Sequence, residues 1–400
     1  MPSLQQLTDV SHASDTVLPE AELVARAGAL VSLLRTNAER TERDRRVAPE
    51  NLEGLRGAGL LRLTTPSAYG GVGASIRTQV EVGLALGRGC PSTAWVAGIF
   101  NGVRPMTLML SDAAREEFYQ EGPDSVACSV ASVHGEAVRT EGGLRLSGTW
   151  AAASGCEDAH WALLGVPLPG IAGAPPSGAT VLVPLQDLEV KDTWHVAGMR
   201  GTGSQSLVAD AVLIPDHRVI GAAVAPSGGS GGGFPAALKI GATLNLLAPV
   251  VGAALGGLDI VREVLDSGKG IIASVYRDTK ASPSAQMWLG EADHLTSRAA
   301  RLIASVADAA DASMVGDPLS LQERSALRMD MVASTEYARA AMSRLLDLTG
   351  SSAFSDAHPL QRYWRDMETG ARHVQFNPFI TREDYGRVAV GIGSPVSLLV

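Results

Sequence analysis

The stretch from Ile240 to Leu258 contains no charged residue, and this feature limits the possible folds more than any other. A helix of ~20 apolar residues can cross a bilayer, but a helix that is apolar all round can equally lie at the centre of a large helical bundle. Asn245, Pro249 and four glycines interrupt the stretch, and neither a basic cluster nor an aromatic belt flanks it. We therefore predict a buried central helix and not a membrane span.

Hydrophobic periodicity divides the rest of the chain into three regions. The first has helical spacing, the second consists of short β-type runs separated by turns, and the third returns to helical spacing. The predicted domains are an N-terminal helical domain at 19–121, a central antiparallel β domain at 122–222 and a C-terminal helical bundle at 234–400. This order predicts an α+β fold, because no helix alternates with the strands.

Local signals refine this division. Gly142-Gly143 lies between two β-type runs and predicts a hairpin. The glycine-rich segment Ala225–Pro235 has the composition of a flexible linker. In the third region, apolar spacing predicts long helices at 237–267, 283–310 and 319–349, with Gly350 after the last one. Glycine and alanine are abundant while aromatic residues make up only 4%, so we expect close packing through small side chains.

Charge and cysteine content exclude several classes of protein. The chain has 42 acidic and 33 basic residues, and this acidic balance argues against nucleic-acid binding through phosphates. Three cysteines are too few for a disulfide framework or a cysteine-rich metal site, and the histidines lack zinc-binding spacing. The first 15 residues lack the basic and apolar regions of a secretion signal. We predict a cytoplasmic enzyme or large binding module without a metal.

The chain also lacks the common nucleotide-binding motifs. No G-x-G-x-x-G follows a strand, and no G-x-x-x-x-G-K-[ST] is present, so a Rossmann site and a P-loop have no support in the sequence. Difficult chemistry would then belong to an organic cofactor bound by loops without a common motif.

Five segments, in this order along the chain, resemble one known family. They are PSAYGGVG (Pro66–Gly73), GLALGRGCPSTAWVAGIF (Gly83–Phe100), SGTWAAASGCEDAHW (Ser147–Trp161), WHVAGMRGTGSQSLVADAVLIP (Trp194–Pro215) and PLQRYWRDM (Pro359–Met367). Together they resemble the acyl-CoA dehydrogenase fold, and more narrowly its branch of two-component monooxygenases that use reduced flavin. The resemblance extends over nearly the whole chain from about residue 19.

The resemblance implies a flavin site. It places the hydroxyl of Ser154 near flavin N5, with Trp150 as a flat wall and Gly155 allowing close approach of the backbone. The loop that contains Arg200, Thr202 and Ser204 could bind a flavin phosphate or the edge of the ring. A plain turn would explain both segments without any flavin.

Two further positions carry the resemblance less completely. Arg277 and Gln286 have about the spacing of an arginine and a glutamine that reach the flavin of a neighbouring subunit, but the usual Phe-Gly between them is absent. A solvated arginine is an equally good interpretation of Arg277. The pair Arg365-Asp366 is expected to be structural, as an ion pair that holds the last helix.

His373 distinguishes the oxygenases from the dehydrogenases. Many acyl-CoA dehydrogenases carry a catalytic glutamate near this point, but no carboxylate occurs from Val374 to Ile380. Imidazole titrates near neutrality, so it can accept a phenol proton or orient a polar substrate. As a residue type, a single histidine is also common as a core or interface residue.

The resemblance implies a function with alternatives. The first is hydroxylation of an aromatic or phenolic substrate, including polycyclic ones, by a flavin C4a-hydroperoxide formed from O2 and reduced FMN or FAD. A separate NAD(P)H-flavin reductase would supply the reduced flavin, and the enzyme would be a homotetramer. Alternatives are oxygenation of an amine or amino sugar, or of an indole or sulfur heterocycle. Outside this class remain a flavin dehydrogenase acting on an acyl thioester and a binding module without catalysis.

Overall fold

The computed structural model describes residues 19–168, 177–220 and 235–397. The predicted linker at Ala225–Pro235 lies outside the described residues apart from Pro235, and so do the first 15 residues and the predicted boundary at 222–234.

The first part of the chain is helical, as its periodicity predicts. Its helices are α1 (Glu20–Asp44), α2 (Pro49–Gly57), α3 (Ile76–Gly89), α4 (Pro91–Val103) and α5 (Asp112–Phe118). Ser75 is the N-cap of α3, and its hydroxyl accepts a hydrogen bond from the Thr78 N–H. Pro91 occupies the first turn of α4, where a missing N–H costs nothing. α4 packs between the long helix Ala236–Asp266 of the C-terminal bundle and the first β-strand, Ala127–Val130.

In the described residues of the next region, eight strands form two four-stranded sheets. They are β1 (Ala127–Val130), β2 (Glu136–Thr140), β3 (Gly143–Ala153), β4 (Trp161–Leu168), β5 (Ser177–Pro184), β6 (Glu189–Lys191), β7 (Gln205–Pro215) and β8 (Val219–Ile220). The strand orders are β1-β4-β5-β8 and β2-β3-β7-β6. The predicted hairpin joins β2 to β3, with Gly142 at a φ of 78°.

The prediction of an antiparallel β domain is correct for every described strand pair except one. β1 and β4 are parallel, with Cys128 opposite Ala162. The β2–β3 hairpin belongs to the other sheet, so the chain leaves the first sheet after β1 and returns in the same direction. Parallel neighbours need such a crossover connection.

The third part of the chain is a helical bundle. Its helices are α6 (Ala236–Asp266), α7 (Pro283–Val315), α8 (Leu321–Thr349), α9 (Pro359–Gly370) and α10 (Pro378–Ala389). α6, α7 and α8 begin within about two residues of the predicted positions, and Gly350 follows α8 with positive φ.

α6 is the centre of this bundle. It packs against α3, α4, α7, α8 and α9. Among the described residues it is the one helix long and apolar enough to span a membrane, and 89% of its most apolar stretch is buried inside the protein. The prediction of a buried central helix is confirmed.

Glycines bring α3 and α6 unusually close together. A Cβ placed on Gly252 would lie 2.6 Å from the Leu84 carbonyl oxygen and 2.8 Å from the Gly87 Cα. The two backbones therefore touch without intervening side chains, as the abundance of small residues predicts.

Candidate active site

Ser154 lies at the end of β3, where the strand gives way to a turn. A register shift interrupts the β3–β7 pairing between Trp150 and Ala153, and Ala152 takes a φ of 61°. Gly155 follows with a φ of 72°, and its N–H donates to the Thr202 carbonyl at 2.8 Å. A Cβ at Gly155 would lie 2.8 Å from Val96 Cγ1, so this turn is pressed against α4. The glycine is needed both for its φ and for this approach.

The Ser154 hydroxyl receives a hydrogen bond from α4. The indole Nε1–H of Trp95 donates to Ser154 Oγ at 3.3 Å. Both side chains are buried, and 8% of Ser154 is exposed. Sequence reasoning did not select Trp95 as a site residue, although it lies inside the segment Gly83–Phe100 that carries the resemblance.

A chain of hydroxyls extends from the other side of Ser154. Its Oγ lies 2.7 Å from Ser204 Oγ, which lies 2.6 Å from Thr202 Oγ1. The Thr202 hydroxyl donates to the Met199 carbonyl at 2.8 Å. Thr202 and Ser204 are only 1% and 2% exposed. This burial argues against direct contact of their hydroxyls with a flavin phosphate or ring edge, because their hydrogen-bonding capacity is directed into the protein. Contact of the loop backbone with a flavin remains a prediction.

Asp366 on α9 anchors the start of this loop. One carboxylate oxygen accepts the Met199 N–H at 2.5 Å and the other accepts the Ser92 hydroxyl at 3.1 Å. Burial, assisted by the negative charge of Glu42, raises the pKa of Asp366 to about 6 against the effect of these hydrogen bonds. The carboxyl therefore fixes the backbone from which the hydroxyl chain begins.

The predicted ion pair between Arg365 and Asp366 is wrong. Arg365 pairs instead with Glu42 of α1 at 2.5 Å and donates to the Ala197 carbonyl. Adjacent residues of a helix point in different directions, so Arg365 and Asp366 face different partners.

His373 lies beside Trp95, three residues after the end of α9. The two rings meet edge to face, with centroids 5.4 Å apart and planes at 75°. Burial lowers the pKa of His373, so its imidazole is neutral at neutral pH. The Gln375 N–H approaches Nδ1 at 3.5 Å, a long contact that favours the tautomer with its proton on Nε2.

The carboxylates closest in sequence before His373 are already engaged. Asp366 is buried as described, and Glu368 is held between Arg339 at 3.1 Å and Arg372. These arginines lower the pKa of Glu368 despite its partial burial. A carboxylate with two cationic partners is a weak proton acceptor.

Trp150 lies inside the β domain and not at the Ser154 cluster. Its exposure is 0%, its Nε1–H donates to the Gly165 carbonyl at 2.8 Å, and its ring packs over Gly135 and Gly148. This contradicts its predicted role as a wall for the flavin. Alternation along β3 places Trp150 on the buried face of the sheet.

The remaining predicted residues lie apart from this cluster. Arg200 is half-buried and donates to the Val196 carbonyl at 3.2 Å. Arg277 and Gln286 are exposed, and Gln286 donates to the Lys280 carbonyl at 2.7 Å. Contact of these three side chains with a flavin remains a prediction. Within 19–168, 177–220 and 235–397, no group of three or more His, Cys, Asp or Glu could hold a metal ion.

Comparison with known proteins places this geometry in a family. Residues 26–121 match the acyl-CoA dehydrogenase N-terminal domain, and residues 244–378 match the acyl-CoA dehydrogenase C-terminal domain. The FADH2-dependent resorcinol hydroxylase oxygenase component of Rhizobium sp. (strain MTP-10005) is 33% identical over an alignment of 390 residues that covers 93% of this chain and 95% of that protein. The flavin-dependent monooxygenase oxygenase subunit HsaA of Rhodococcus jostii (strain RHA1) is 31% identical, over 92% of this chain and 98% of its own.

A solved structure gives the same result for the fold. XiaF from Streptomyces sp., in complex with FADH2 and glycerol, superposes with a TM-score of 0.87 at 31% identity, covering 94% of this chain and 97% of its own. The agreement extends through all three regions, and the relatives are named as oxygenases and hydroxylases. The chain belongs to the flavin-dependent monooxygenases with the acyl-CoA dehydrogenase fold, as an oxygenase component.

Proposed function

We propose that this monooxygenase hydroxylates a phenolic or polycyclic aromatic substrate with O2 and reduced FMN or FAD. The observation that supports this most is that Trp95 contacts both Ser154 and His373, so that the hydroxyl proposed to bind flavin and the imidazole proposed to bind substrate share one wall. The resorcinol hydroxylase among the relatives is FADH2-dependent and named as an oxygenase component. That name implies a separate partner, which for this chain would be an NAD(P)H-flavin reductase.

The residues around Ser154 fit the edge of a flavin ring. Ser154 Oγ retains one lone pair after its bonds to Trp95 and Ser204, and it is slightly exposed. Ala151 and Ala152, shortly before Ser154 in the chain, are exposed. Their side chains are only methyl groups and leave space for a flat ring. Bound reduced flavin would supply the chemistry that activates O2. Ser154 would hold its N5 edge, while Arg200 and the neighbouring subunit's copies of Arg277 and Gln286 would hold its polar chain.

His373 would orient the substrate. In the tautomer that the Gln375 contact favours, the neutral ring carries its proton on Nε2 and can donate a hydrogen bond to the oxygen of a phenol or phenolate. Such a bond fixes which ring carbon faces the flavin. Deprotonation of the phenol by Nε2 would first require the other tautomer and the loss of the Gln375 contact, so this tautomer favours orientation over direct proton abstraction.

An acyl-thioester dehydrogenase would need a free carboxylate base near the flavin. Asp366 holds the Met199 backbone and Glu368 is paired with two arginines, so neither meets this need. The structure thus offers no support for this alternative in the region of His373.

We further propose a homotetramer in the cytoplasm that acts on small molecules, without a nucleic-acid or membrane partner. Two exposed apolar surfaces support self-association. One lies before and at the start of α7, where Ile272 and Val275 are each 87% exposed, and the other lies around α10, where Phe379 is 79% exposed. Light scattering at micromolar concentration should give four subunits, and a monomer with full activity would contradict the proposal.

The function is tested by mixing the protein anaerobically with reduced FMN or FAD, adding resorcinol or another simple phenol, and then admitting air. We expect hydroxylated product that depends on the protein and on the flavin. Ser154→Ala should release more hydrogen peroxide and less product, with a loss of about 1–3 kcal/mol for one buried hydrogen bond. A protein that binds neither reduced flavin, or that purifies with FAD reducible by an acyl thioester, would overturn the proposal.

A further inference from the structure

The direction of every hydrogen bond in the hydroxyl chain can be assigned. The Met199 carbonyl can only accept, so Thr202 must donate to it. Thr202 has no second proton, so the 2.6 Å contact with Ser204 requires Ser204 to donate. Ser204 has then used its own proton, so the 2.7 Å contact with Ser154 requires Ser154 to donate.

The opposite arrangement would leave one close contact without a proton. If Ser204 donated to Ser154, the oxygens of Ser204 and Thr202 would face each other at 2.6 Å with lone pairs only. Burial excludes water that could relieve this contact, because both side chains are almost unexposed. Asp366 holds the Met199 N–H, so the carbonyl at the end of the chain stays in place.

Ser154 is therefore a hydrogen-bond acceptor on the side that is open to a ligand. Its proton is directed at Ser204, one lone pair receives the Trp95 N–H, and one lone pair remains. We propose that Thr202 and Ser204 act as a relay that keeps Ser154 a hydrogen-bond acceptor and thereby selects reduced over oxidised flavin. This inference rests on the proposed function, in which Ser154 lies at flavin N5.

The two redox states of flavin differ at that atom. Reduced flavin carries a proton on N5 and can donate to Ser154, whereas oxidised flavin presents a lone pair there. An acceptor that faces a lone pair loses a hydrogen bond and leaves both groups unsatisfied. The relay therefore favours the form that reacts with O2 and promotes release of the spent form. Thr202 and Ser204 are positioning residues in this proposal, since they act through Ser154.

Binding of both flavin states to Ser204→Ala tests the relay. Without Ser204 the Ser154 proton is free to rotate towards the flavin, so Ser154 can donate to oxidised N5 and can still accept from reduced N5. We expect the Kd for oxidised flavin to fall roughly tenfold while the Kd for reduced flavin stays nearly constant. The two-electron midpoint potential of the bound flavin should fall by about 30 mV, the equivalent of a tenfold change in the ratio. Ser154→Ala differs because it also weakens reduced-flavin binding.

Ser206→Ala is the matched control. Ser206 is a buried serine two residues after Ser204, and its hydroxyl lies 2.8 Å from the Thr193 hydroxyl, in a pair separate from the relay. This variant should leave the ratio of the two Kd values unchanged. Thr202→Val provides a second relay variant, because it frees the Ser204 proton for Ser154 and should shift the ratio in the same direction.

The outcomes separate the relay from the function itself. If the wild-type protein binds neither reduced FMN nor reduced FAD, the proposed function fails. If it prefers reduced flavin and both relay variants keep the wild-type ratio, the relay is wrong. Should both variants fail to fold, NMR of wild-type protein with ¹⁵N5-labelled oxidised flavin decides. The relay predicts the ¹⁵N chemical shift of an N5 atom that accepts no hydrogen bond. The chemical shift of a hydrogen-bonded N5 would overturn it.

Discussion

The indole of Trp95 meets the imidazole of His373 edge to face at 5.4 Å, while its N–H donates to Ser154. Trp95 lies in α4, Ser154 directly follows β3, and His373 lies in the segment after α9. One side chain thus joins the three regions of the fold. The candidate site exists only where these regions meet, so its geometry depends on how α4 packs between the sheet and the bundle.

Replacing Trp95 by Phe should uncouple oxygen use from hydroxylation. The ring would still pack against His373, but Ser154 would lose a donor that fixes its orientation. We expect less product per reduced flavin consumed, by roughly three- to tenfold, with the difference recovered as hydrogen peroxide. Product and peroxide are measured in the same reaction. The control is Trp150→Phe, which removes the indole donor to Gly165 inside the β domain and should lower the Tm without changing the coupling ratio. Equal coupling in both variants would contradict the role of Trp95.

Replacing His373 by Ala should reduce product formation by roughly 10²-fold while reduced flavin still binds, because the phenol loses the hydrogen bond that orients its ring towards the flavin. Protonation would place a hydrogen on Nδ1 and remove the Gln375 contact that orients the ring. Burial lowers the pKa of His373, so the wild-type enzyme should lose activity on the acid side only below the usual histidine range near 6.5. This acid limb should disappear in the variant, as followed in the pH profile of product formation.

His358→Ala is the control for that experiment. His358 also precedes a helical segment and accepts a backbone N–H through Nδ1, here from Leu360 at 3.2 Å. Its loss should cost a similar amount of stability and leave hydroxylation intact. A His373 variant that hydroxylates at the wild-type rate would make His373 a structural residue only.

Replacing Asp366 by Asn should change how stability depends on pH. The folded-state pKa of Asp366 is raised to about 6, above the ordinary value near 3.9, so the folded protein holds this proton more tightly than the unfolded chain. Its contribution is fully present below about pH 4 and is lost as the pH rises to about 6. The unfolding free energy of the asparagine variant minus that of the wild type should therefore increase from about pH 4 to about pH 6 and stay constant above that. Denaturant unfolding at several pH values measures this, and parallel curves would show that Asp366 does not titrate there.

Replacing Gly155 by Ala should destabilise the protein more than the same change at Gly142. Both glycines have positive φ, 72° and 78°, so both variants carry about 1 kcal/mol of backbone strain. At Gly155 the new methyl group would also lie 2.8 Å from Val96, whereas Gly142 has no atom within 4 Å of its Cβ position. We expect a further ~1–3 kcal/mol of destabilisation at Gly155 alone. Equal losses of unfolding free energy would show that α4 moves away from the new methyl group at little cost.

The sequence determines the elements and their order. Apolar residues repeat with the helical period in the segments that become α6, α7 and α8, and the period changes where the strands begin. The hairpin at Gly142 is equally local, because its turn needs positive φ. These features depend on residues near one another in the chain, so they can be predicted without a structure.

The partners of the site residues were decided by tertiary packing. Trp95 and Ser154 are 59 residues apart, and Ser92 and Asp366 are 274 apart. No local pattern records that Trp150 faces the core while Trp95 faces Ser154, since both are tryptophans in segments with the same resemblance. Nor does it record that Thr202 and Ser204 point inward, because a turn of small polar residues can direct hydroxyls either way. Hydrogen-bond direction follows from which donors and acceptors a fold brings within about 3 Å, and that is a property of the packed chain.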